Sequence, residues 1–490
     1  MAKATPEKYP RMAAQGIGNA VLQEALINLQ KRLGRGAAEA YRHLPEGPDL
    51  RLKAHDIRME SIDNLDILLD RLTEQIAANG GHVFFAADEA AALDYILEVA
   101  RENEVRRVVK GKSMVSEEIG LNEALGAAGI EVTETDLGEY IVQLAGEHPS
   151  HIIAPAIHKT RSDIGRLFAN SLGIPYSQDP PTLTQAARKA LRAKFMAADM
   201  GVTGCNLACA ETGHVAVVSN EGNIRMSSTM PRVHVVLMGM ERVIARLEDY
   251  DVMLRLLCRG AAAQDMATYV SYIHGPRRPE QADGPDVFHL VVLDNGRSKI
   301  LADSRFREML CCIRCAACLN VCPVYAKIGG HAYGYPYCGP VGAVVTPLLV
   351  GINRARHLCQ GETLCGACQA ICPVNIDLPR MLLELRAQLA EGDRQWGVKR
   401  ANAMEKMVYA IWSEIVGSRR LYDLALVVGR ILQRVLPRAD GMIRRLPPPF
   451  GGWTLTRDMQ PLAGRSFHER WEELAQPSGP AAGGRGGDAR

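Results

Sequence analysis

The spacing of apolar residues changes several times along the first half of the chain. Between Leu52 and Ala77 the apolar positions recur every three to five residues, which predicts an amphipathic helix. Short apolar runs then alternate with stretches of helical spacing. We interpret the runs as strands at 82–85, 105–109, 130–133 and 152–153, and the stretches as helices at 90–101 and 117–128. This alternation predicts an α/β domain with a largely parallel sheet.

The pattern becomes β-rich after about residue 210 and helical again near the C-terminus. Two β-rich runs, 210–218 and 232–238, flank Asn220–Asn223. Glycine next to asparagine is what a tight turn needs, so we expect a hairpin there. Helical spacing returns at 382–389 and 404–416, which predicts a helical C-terminal region.

Composition and charge are those of a globular protein and exclude several classes. The chain has 490 residues, 47% of them apolar and 23% charged, which favours two or three domains. A formal net charge of +2 gives no electrostatic basis for binding nucleic acid. The longest apolar run, 342–352, is too short to span a bilayer, and residues 1–15 contain no apolar signal segment. We therefore expect a cytoplasmic protein with no transmembrane segment.

The cysteines are concentrated in one part of the chain. Ten of the thirteen lie between Cys311 and Cys372. A disulfide framework is typical of short secreted chains, and this chain is long and carries no recognisable signal. Clustered cysteines in a cytoplasmic protein indicate metal binding instead.

The first cysteine motif has the spacing of a bacterial iron–sulfur site. It reads Cys312-x2-Cys315-x2-Cys318-x3-Cys322-Pro323. The first three thiolates can surround one 4Fe–4S cluster, while the fourth reaches a second cluster. Zinc is the alternative, but it prefers two well-separated pairs of ligands. Cys311 directly precedes a ligand, so we expect its side chain to point elsewhere.

A second, shorter motif follows, Cys365-x2-Cys368-x3-Cys372-Pro373. By the same logic its last cysteine crosses to the first cluster. Cluster 1 is then bound by Cys312, Cys315, Cys318 and Cys372, and cluster 2 by Cys322, Cys365 and Cys368. Two clusters with crossed ligands form a path for single electrons.

Cluster 2 is one thiolate short. Glu362 stands where a complete motif has its first cysteine. Cys359, just upstream, and Cys338, in a glycine-rich loop, are the two cysteines that could fill the gap. A 3Fe–4S cluster, or an iron with a non-cysteine ligand, would also account for the missing thiolate. The sequence does not choose between these four.

Outside the cysteine region, four polar residues are candidates for an anion or substrate pocket. Lys112 and Ser113 follow a predicted strand, but the glycine of a phosphate-binding loop is missing upstream of them. Glu211 precedes a strand and would be the nucleophile or base of such a pocket, with Asn223 as a further contact.

Several motifs together resemble the lactate-utilisation protein B family, over about residues 50 to 475. The cysteine-rich part contributes Cys312–Cys318, Cys322–Tyr325 and Gly329–Gly334. The rest of the chain contributes Lys112–Met114, Glu134–Tyr140, Pro149–His151, Glu211–Gly213, Asn220–Asn223, Pro231–His234, Asp294–Ser298, Gly452–Trp453 and Arg465–Phe467.

The resemblance implies an architecture and a role. It implies a LUD domain similar in fold to sugar-phosphate isomerases and CoA transferases, then a helical dicluster ferredoxin-like domain and a helical C-terminal domain. It also implies the crossed cluster ligands given above, and partner proteins A and C with which L-lactate is oxidised to pyruvate. Cys338 and Cys359 depart from the family pattern, and the eighth ligand stays open.

We divide the chain on this basis into five parts. They are a helical N-terminal segment at 1–60, the LUD domain at 61–290, the dicluster domain at 291–385, the helical C-terminal domain at 386–475 and a disordered tail at 476–490.

The motifs of this sequence are compatible with two functions. The first is an electron-transfer subunit of a lactate dehydrogenase complex, whose electron acceptor the sequence does not name. The second is a LUD-domain transferase or isomerase in which the clusters are structural or sense redox state.

Overall fold

The computed structural model describes residues 5–399, 403–448, 450–455 and 457–475. It contains two units, Met1–Arg400 and Ala401–Arg490. The predicted disordered tail at 476–490 lies outside the described residues. Among the helices described, none has both the length and the apolar character needed to cross a bilayer.

The first unit is built on a parallel sheet. The described residues of this unit contain ten strands, which are β1 His82–Ala86, β2 Arg107–Lys110, β3 Glu131–Glu134, β4 Met200–Gly204, β5 Leu207–Cys209, β6 Val215–Ser219, β7 Val233–Gly239, β8 Val243–Ile244, β9 Tyr269–Ile273 and β10 Val287–Leu293. Six of them form one sheet in the order β1-β10-β7-β4-β2-β3, and every pairing in it is parallel. The predicted α/β fold with a parallel sheet is therefore confirmed.

Apolar clusters cover both faces of this sheet. Val235 and Leu237 of the central strand β7 pack in one cluster, and Val236 and Met238 in another. Every residue of β7 is buried, which explains its almost continuous apolar sequence. The helices of this α/β part are Leu65–Ala78, Glu89–Glu102, Met114–Glu118, Leu121–Ala127, Leu137–Leu144, Arg161–Leu172, Pro180–Ala197, Asn223–Thr229, Asp249–Ala262 and Arg297–Leu301.

The predicted hairpin at Asn220–Asn223 is wrong. β6 pairs with β5 and β9 in a separate four-stranded sheet, ordered β8-β5-β6-β9, whereas β7 lies in the large sheet. Gly222, with φ of 73°, instead begins the helix Asn223–Thr229. A glycine with positive φ next to asparagine suits a helix start as well as a hairpin turn, so the local signal could not separate the two.

Three other predictions need correction. Residues 152–153 are not a strand, because His151 Nδ1 accepts hydrogen bonds at 3.0 Å from two following backbone N–H groups and so makes a turn. The helix predicted at 52–77 is two helices, Gly47–Asp63 and Leu65–Ala78. The helix predicted at 117–128 is also interrupted, at Gly120 with φ of 66°.

N-terminal helices cover the cysteine-rich segment. The helices of this region are Tyr9–Gly18, Ala20–Leu29, Arg35–Arg42 and Gly47–Asp63, with a π-helical turn at Gln30–Gly34. A Cβ on Gly34 would lie 2.5 Å from the carbonyl oxygen of Asn320, so the backbones approach as closely as only glycine permits. Gln23 donates its side-chain N–H to the carbonyl of Lys327 at 2.6 Å.

The cysteine-rich segment and the C-terminal unit are helical. The main helices of the former are Ala317–Val321, Tyr325–Ile328, Gly339–Val350, Arg356–Gln360, Ala367–Ile371 and Leu378–Glu391. The second unit contains the helices Ala403–Gly417, Arg419–Leu432 and Phe467–Ala475, and a two-stranded ribbon of Arg438–Ala439 and Met442–Ile443.

A buried histidine in β7 makes stability depend on pH. His234 Nε2 lies 2.9 Å from Thr203 Oγ1, and burial lowers the His234 pKa to about 3. As the pH is lowered, His234 therefore takes up a proton in the unfolded chain before it does so in the folded chain. The folded state is fully stabilised with respect to this group above about pH 6.5, and that stabilisation is lost as pH falls towards 3.

We expect His234→Leu to flatten this dependence. Between pH 6 and 4 the wild-type free energy of unfolding should fall by up to about 1.4 kcal/mol more per pH unit than that of the variant. Denaturant unfolding at stepped pH, followed by circular dichroism, measures both slopes. Parallel curves would show that His234 does not titrate on unfolding.

Candidate iron–sulfur site

The first cysteine motif folds as a tight loop followed by a short helix. Arg314 and Ala316, on either side of Cys315, have φ angles of 57° and 66°. Two left-handed residues so close together bend the backbone sharply. The helix Ala317–Val321 follows, and Cys322 forms its C-cap.

The second motif has the same local structure. Leu364 and Gly366, on either side of Cys365, have φ angles of 56° and 80°. The helix Ala367–Ile371 follows, and Cys372 forms its C-cap. The two short helices pack against each other, which brings the two motifs together.

Cys372 lies near the cysteines of the first motif. Burial raises the pKa of Cys315, and the neighbouring Cys372 and Cys312 raise it further. Burial also raises the pKa of Cys318, with additions from Cys312, Cys315, Cys368 and Cys372. The pKa of Cys372 rises to about 12, mainly through burial and in part through Cys312. Cys372, from the second motif, therefore lies close to three thiols of the first, and Cys318 also lies close to Cys368.

A second group contains Cys322, Glu362, Cys365 and Cys368. Cys322 Sγ donates a hydrogen bond to Glu362 Oε2 at 3.4 Å. Burial raises the pKa of Cys368 to about 11, and Glu362 and Cys365 raise it in addition. All four residues line one cavity. Burial also raises the pKa of Glu362, to about 7.

Backbone N–H groups are directed at three of these thiols. Each of the three N···Sγ distances is 3.4 Å, from Arg314 to Cys312, from Tyr325 to Cys322 and from Ile376 to Cys372. Such hydrogen bonds stabilise thiolates and tune cluster potentials. The grouped thiols, of which Cys365 is exposed and the others are buried or partly buried, and their N–H donors thus fit iron–sulfur clusters.

Among the described residues, no three His, Cys, Asp or Glu side chains are close enough to hold a single ion. Zinc needs its four ligands around one centre, whereas the cysteines of a cubane each bind a different iron.

Cys338, Cys359 and Cys311 have contacts of their own, although Cys311 also lies near Cys312 and Cys372. Cys338 forms the N-cap of the helix Gly339–Val350. Cys359 Sγ contacts the carbonyl oxygen of Ala355 in its own helical turn, at 3.9 Å. Cys311 Sγ lies 3.4 Å from Met59 Sδ.

Sequence reasoning missed three buried arginines beside the first group. The side chains of Arg58, Arg242 and Arg314 are each at most 8% exposed and surround Glu241. Burial acts to lower the pKa of Arg314, but Cys312 and other negative groups keep it above its usual value. Within the described residues, Arg314 Nε and Nη1 have no hydrogen-bond partner. The three arginines are far apart in sequence, so no local motif could reveal them.

We expect Arg314 to raise the reduction potential of the first cluster. A cation a few ångströms away favours the more negative, reduced state. Arg314→Leu should lower this potential by on the order of 100 mV, and Arg314→Lys, which keeps the charge, should change it much less. A redox titration followed by EPR measures the shift. An unchanged potential in a Leu variant that retains its clusters would contradict this role.

The candidate pocket residues Lys112 and Ser113 make structural contacts. Lys112 Nζ donates to the carbonyl of Ile153 at 3.0 Å and lies 3.5 Å from Asp136 Oδ2. Ser113 Oγ accepts from the Ser116 N–H and caps the helix that follows.

Asn223 and Glu211 are held by other elements. Asn223 accepts a hydrogen bond from Ser219 and donates one to Thr135. Glu211 Oε2 accepts the backbone N–H of Leu247 at 2.8 Å. Each of the four residues thus has a structural partner, and a pocket formed by them stays a prediction.

Three family models match successive parts of this chain. They describe a LUD domain over residues 69–293, a 4Fe–4S dicluster domain over 308–376, and the C-terminal region of lactate utilisation protein B over 394–476.

Curated relatives match over nearly their whole length. Lactate utilization protein B of Bacillus licheniformis is 40% identical over 472 residues, covering 96% of this chain and 97% of the relative. The protein of the same name from Oceanobacillus iheyensis is 41% identical, covering 96% of this chain and 96% of the relative. The one from Bacillus cereus strain AH820 is 44% identical, covering 86% of this chain and 88% of the relative. A crystal structure of a DUF162 family protein from Deinococcus radiodurans matches 47% of this chain and 98% of its own, at 13% identity and a TM-score of 0.25, which is too low to support an argument.

The fold and these matches define an iron–sulfur protein with three successive regions. A LUD domain is followed by a ferredoxin-like dicluster domain and a helical C-terminal region. At 40% identity over 96% of its length, the chain belongs to the lactate utilization protein B family, as its motifs predicted.

Proposed function

We propose that this chain is the iron–sulfur electron-transfer subunit of a multi-protein system that oxidises L-lactate to pyruvate. The observation that carries the proposal is the closeness of Cys372 to Cys312, Cys315 and Cys318, together with a second group around Cys322. This is the arrangement that two clusters with crossed ligands need. The name shared by the relatives supports lactate as the substrate of the system.

The residues of the chain would hold two one-electron centres side by side. Cys312, Cys315, Cys318 and Cys372 would hold one 4Fe–4S cluster, and Cys322, Cys365 and Cys368 would hold the other. When bound, each cluster supplies reversible one-electron transfer. Because oxidation of lactate to pyruvate releases two electrons, two such centres match the reaction. Proteins A and C of the same system are the proposed partners, together with an electron acceptor of unknown identity.

Burial of the thiols supports a role in electron transfer over one in substrate chemistry. Cys315 and Cys372 are buried and Cys318 is partly buried, which limits side reactions of the clusters and lets nearby charges tune their potentials. The alternative, a LUD-domain transferase or isomerase, would need Lys112, Glu211 and Asn223 to be available to a substrate. Their structural contacts give that alternative no support.

The test is Cys315→Ser in the reconstituted system. With proteins A and C present, the wild-type chain should show lactate-dependent reduction in its visible and EPR spectra, and the variant should lose it. Cys258→Ser is the matched control, because Cys258 is also buried but lies outside both motifs. Undiminished reduction in Cys315→Ser would rule the proposal out.

A further inference from the structure

Glu362 stands at a ligand position of the second motif. The two motifs have the same spacing, and Glu362 in the second corresponds to Cys312 in the first. The two loops also have a similar backbone conformation. The residues on either side of Cys315 have φ angles of 57° and 66°, and those on either side of Cys365 have φ angles of 56° and 80°. A five-residue helix follows in both. The first side chain of each loop therefore begins from a similar backbone position.

The Glu362 carboxylate is already directed at the other ligands of the second group. Its Oε2 lies 3.4 Å from Cys322 Sγ, and it lines the same cavity as Cys365 and Cys368. Its Oε1 accepts a hydrogen bond from the Tyr333 hydroxyl at 3.0 Å. Glu362 is 9% exposed and Tyr333 is fully buried, so one oxygen is fixed while the other faces the thiols. Carboxylates that bind metals are commonly held in this way.

Neither Cys338 nor Cys359 shares this position. The two cysteines are not among the described residues that line the cavity. Cys359 Sγ is turned towards the carbonyl of Ala355 in its own helix. Cys338 lies at the start of the helix Gly339–Val350, two residues before Pro340, which does line the cavity.

We propose that Glu362 Oε2 is the fourth protein ligand of the second cluster, binding the iron that no cysteine reaches, and that Tyr333 positions it. This inference rests on the proposed function, since it requires that cluster. A carboxylate carries the same charge as a thiolate, so the net charge of the site is unchanged. Oxygen is a harder donor than sulfur, and one iron is therefore distinct from the three bound by thiolates.

The test compares variants of the full-length chain, enriched in ⁵⁷Fe and purified without oxygen, by iron analysis, EPR and Mössbauer spectroscopy. The wild type should contain about eight irons per chain and no three-iron signal. Glu362→Gln should lose about one iron and gain the EPR signal of an oxidised 3Fe–4S cluster. Glu362→Cys should keep all its iron and lose the Mössbauer component of the oxygen-bound site. Cys338→Ser and Cys359→Ser, the matched controls, should behave as the wild type.

Three results would overturn the assignment. They are a three-iron cluster in the anaerobic wild type, an unchanged spectrum in both Glu362 variants, or loss of iron in either cysteine control. In each of these the proposed function survives, because two clusters are still present. A wild-type chain without iron would instead contradict the proposed function and this inference together.

Discussion

Cys372→Ala is expected to remove the cluster of the first motif, although Cys372 belongs to the second. Cys372 lies among Cys312, Cys315 and Cys318, and an alanine there leaves one iron without a thiolate. The iron content should fall from about eight to about four per chain, or to about seven if a three-iron cluster persists. Lactate-dependent reduction should be lost with it.

Paired variants test the crossing of ligands directly. Cys372→Ala and Cys312→Ala should leave the same intact cluster, with one EPR spectrum, and Cys322→Ala and Cys365→Ala should leave the other. If Cys372→Ala instead resembled Cys365→Ala, each motif would hold its own cluster and the crossed assignment would be wrong.

Arg297→Met is expected to cause the largest loss of stability. The Arg297 guanidinium is 1% exposed and binds both oxygens of Glu118, at 2.9 and 2.8 Å, and Glu241 Oε2 at 2.9 Å. Both carboxylates are buried, so removing the cation leaves Glu118 without its ion-pair partner and leaves Glu241 with only the longer contacts to Arg242 and Arg314. The expected loss is about 3–5 kcal/mol in the free energy of unfolding.

This network joins the sheet to the cysteine-rich segment, because Tyr337 also donates to Glu118 and Arg314 lies near Glu241. The matched control is Arg166→Met, which breaks the exposed pair Arg166–Asp163 and should change stability by less than about 1 kcal/mol. Thermal and denaturant unfolding measure both variants. Equal stability of the two would show that the buried network does not couple these parts.

The sequence predicts the parallel sheet and the cluster ligands for a common physical reason. A strand buried on both faces must be apolar along its length, as in β7. Three thiols within seven residues, as in the first cysteine motif, must face nearly the same point to bind one cluster. In both cases the signal is local. The helix breaks at Asn64 and Gly120 and the helix start at Gly222 depend on tertiary packing, and there the local pattern was insufficient.

The rest of the site depends on contacts between distant parts of the chain. Arg58, Arg242 and Arg314 meet around Glu241 only after folding, and none belongs to a recognisable motif. Glu362 was visible in the sequence as a missing cysteine. Its contacts with Cys322 and Tyr333, which distinguish it from Cys338 and Cys359, required the structure.

The most direct test of the electron-transfer account is low-temperature EPR of the anaerobically purified chain, before and after reduction with dithionite. The account predicts, after reduction, the spectrum of two magnetically interacting iron–sulfur clusters, and the Glu362 assignment adds that both are 4Fe–4S clusters, with about two spins per chain and no three-iron signal in the oxidised sample. Bound zinc, with no paramagnetic iron signal in either state, would contradict it and leave the LUD-domain enzyme as the leading hypothesis.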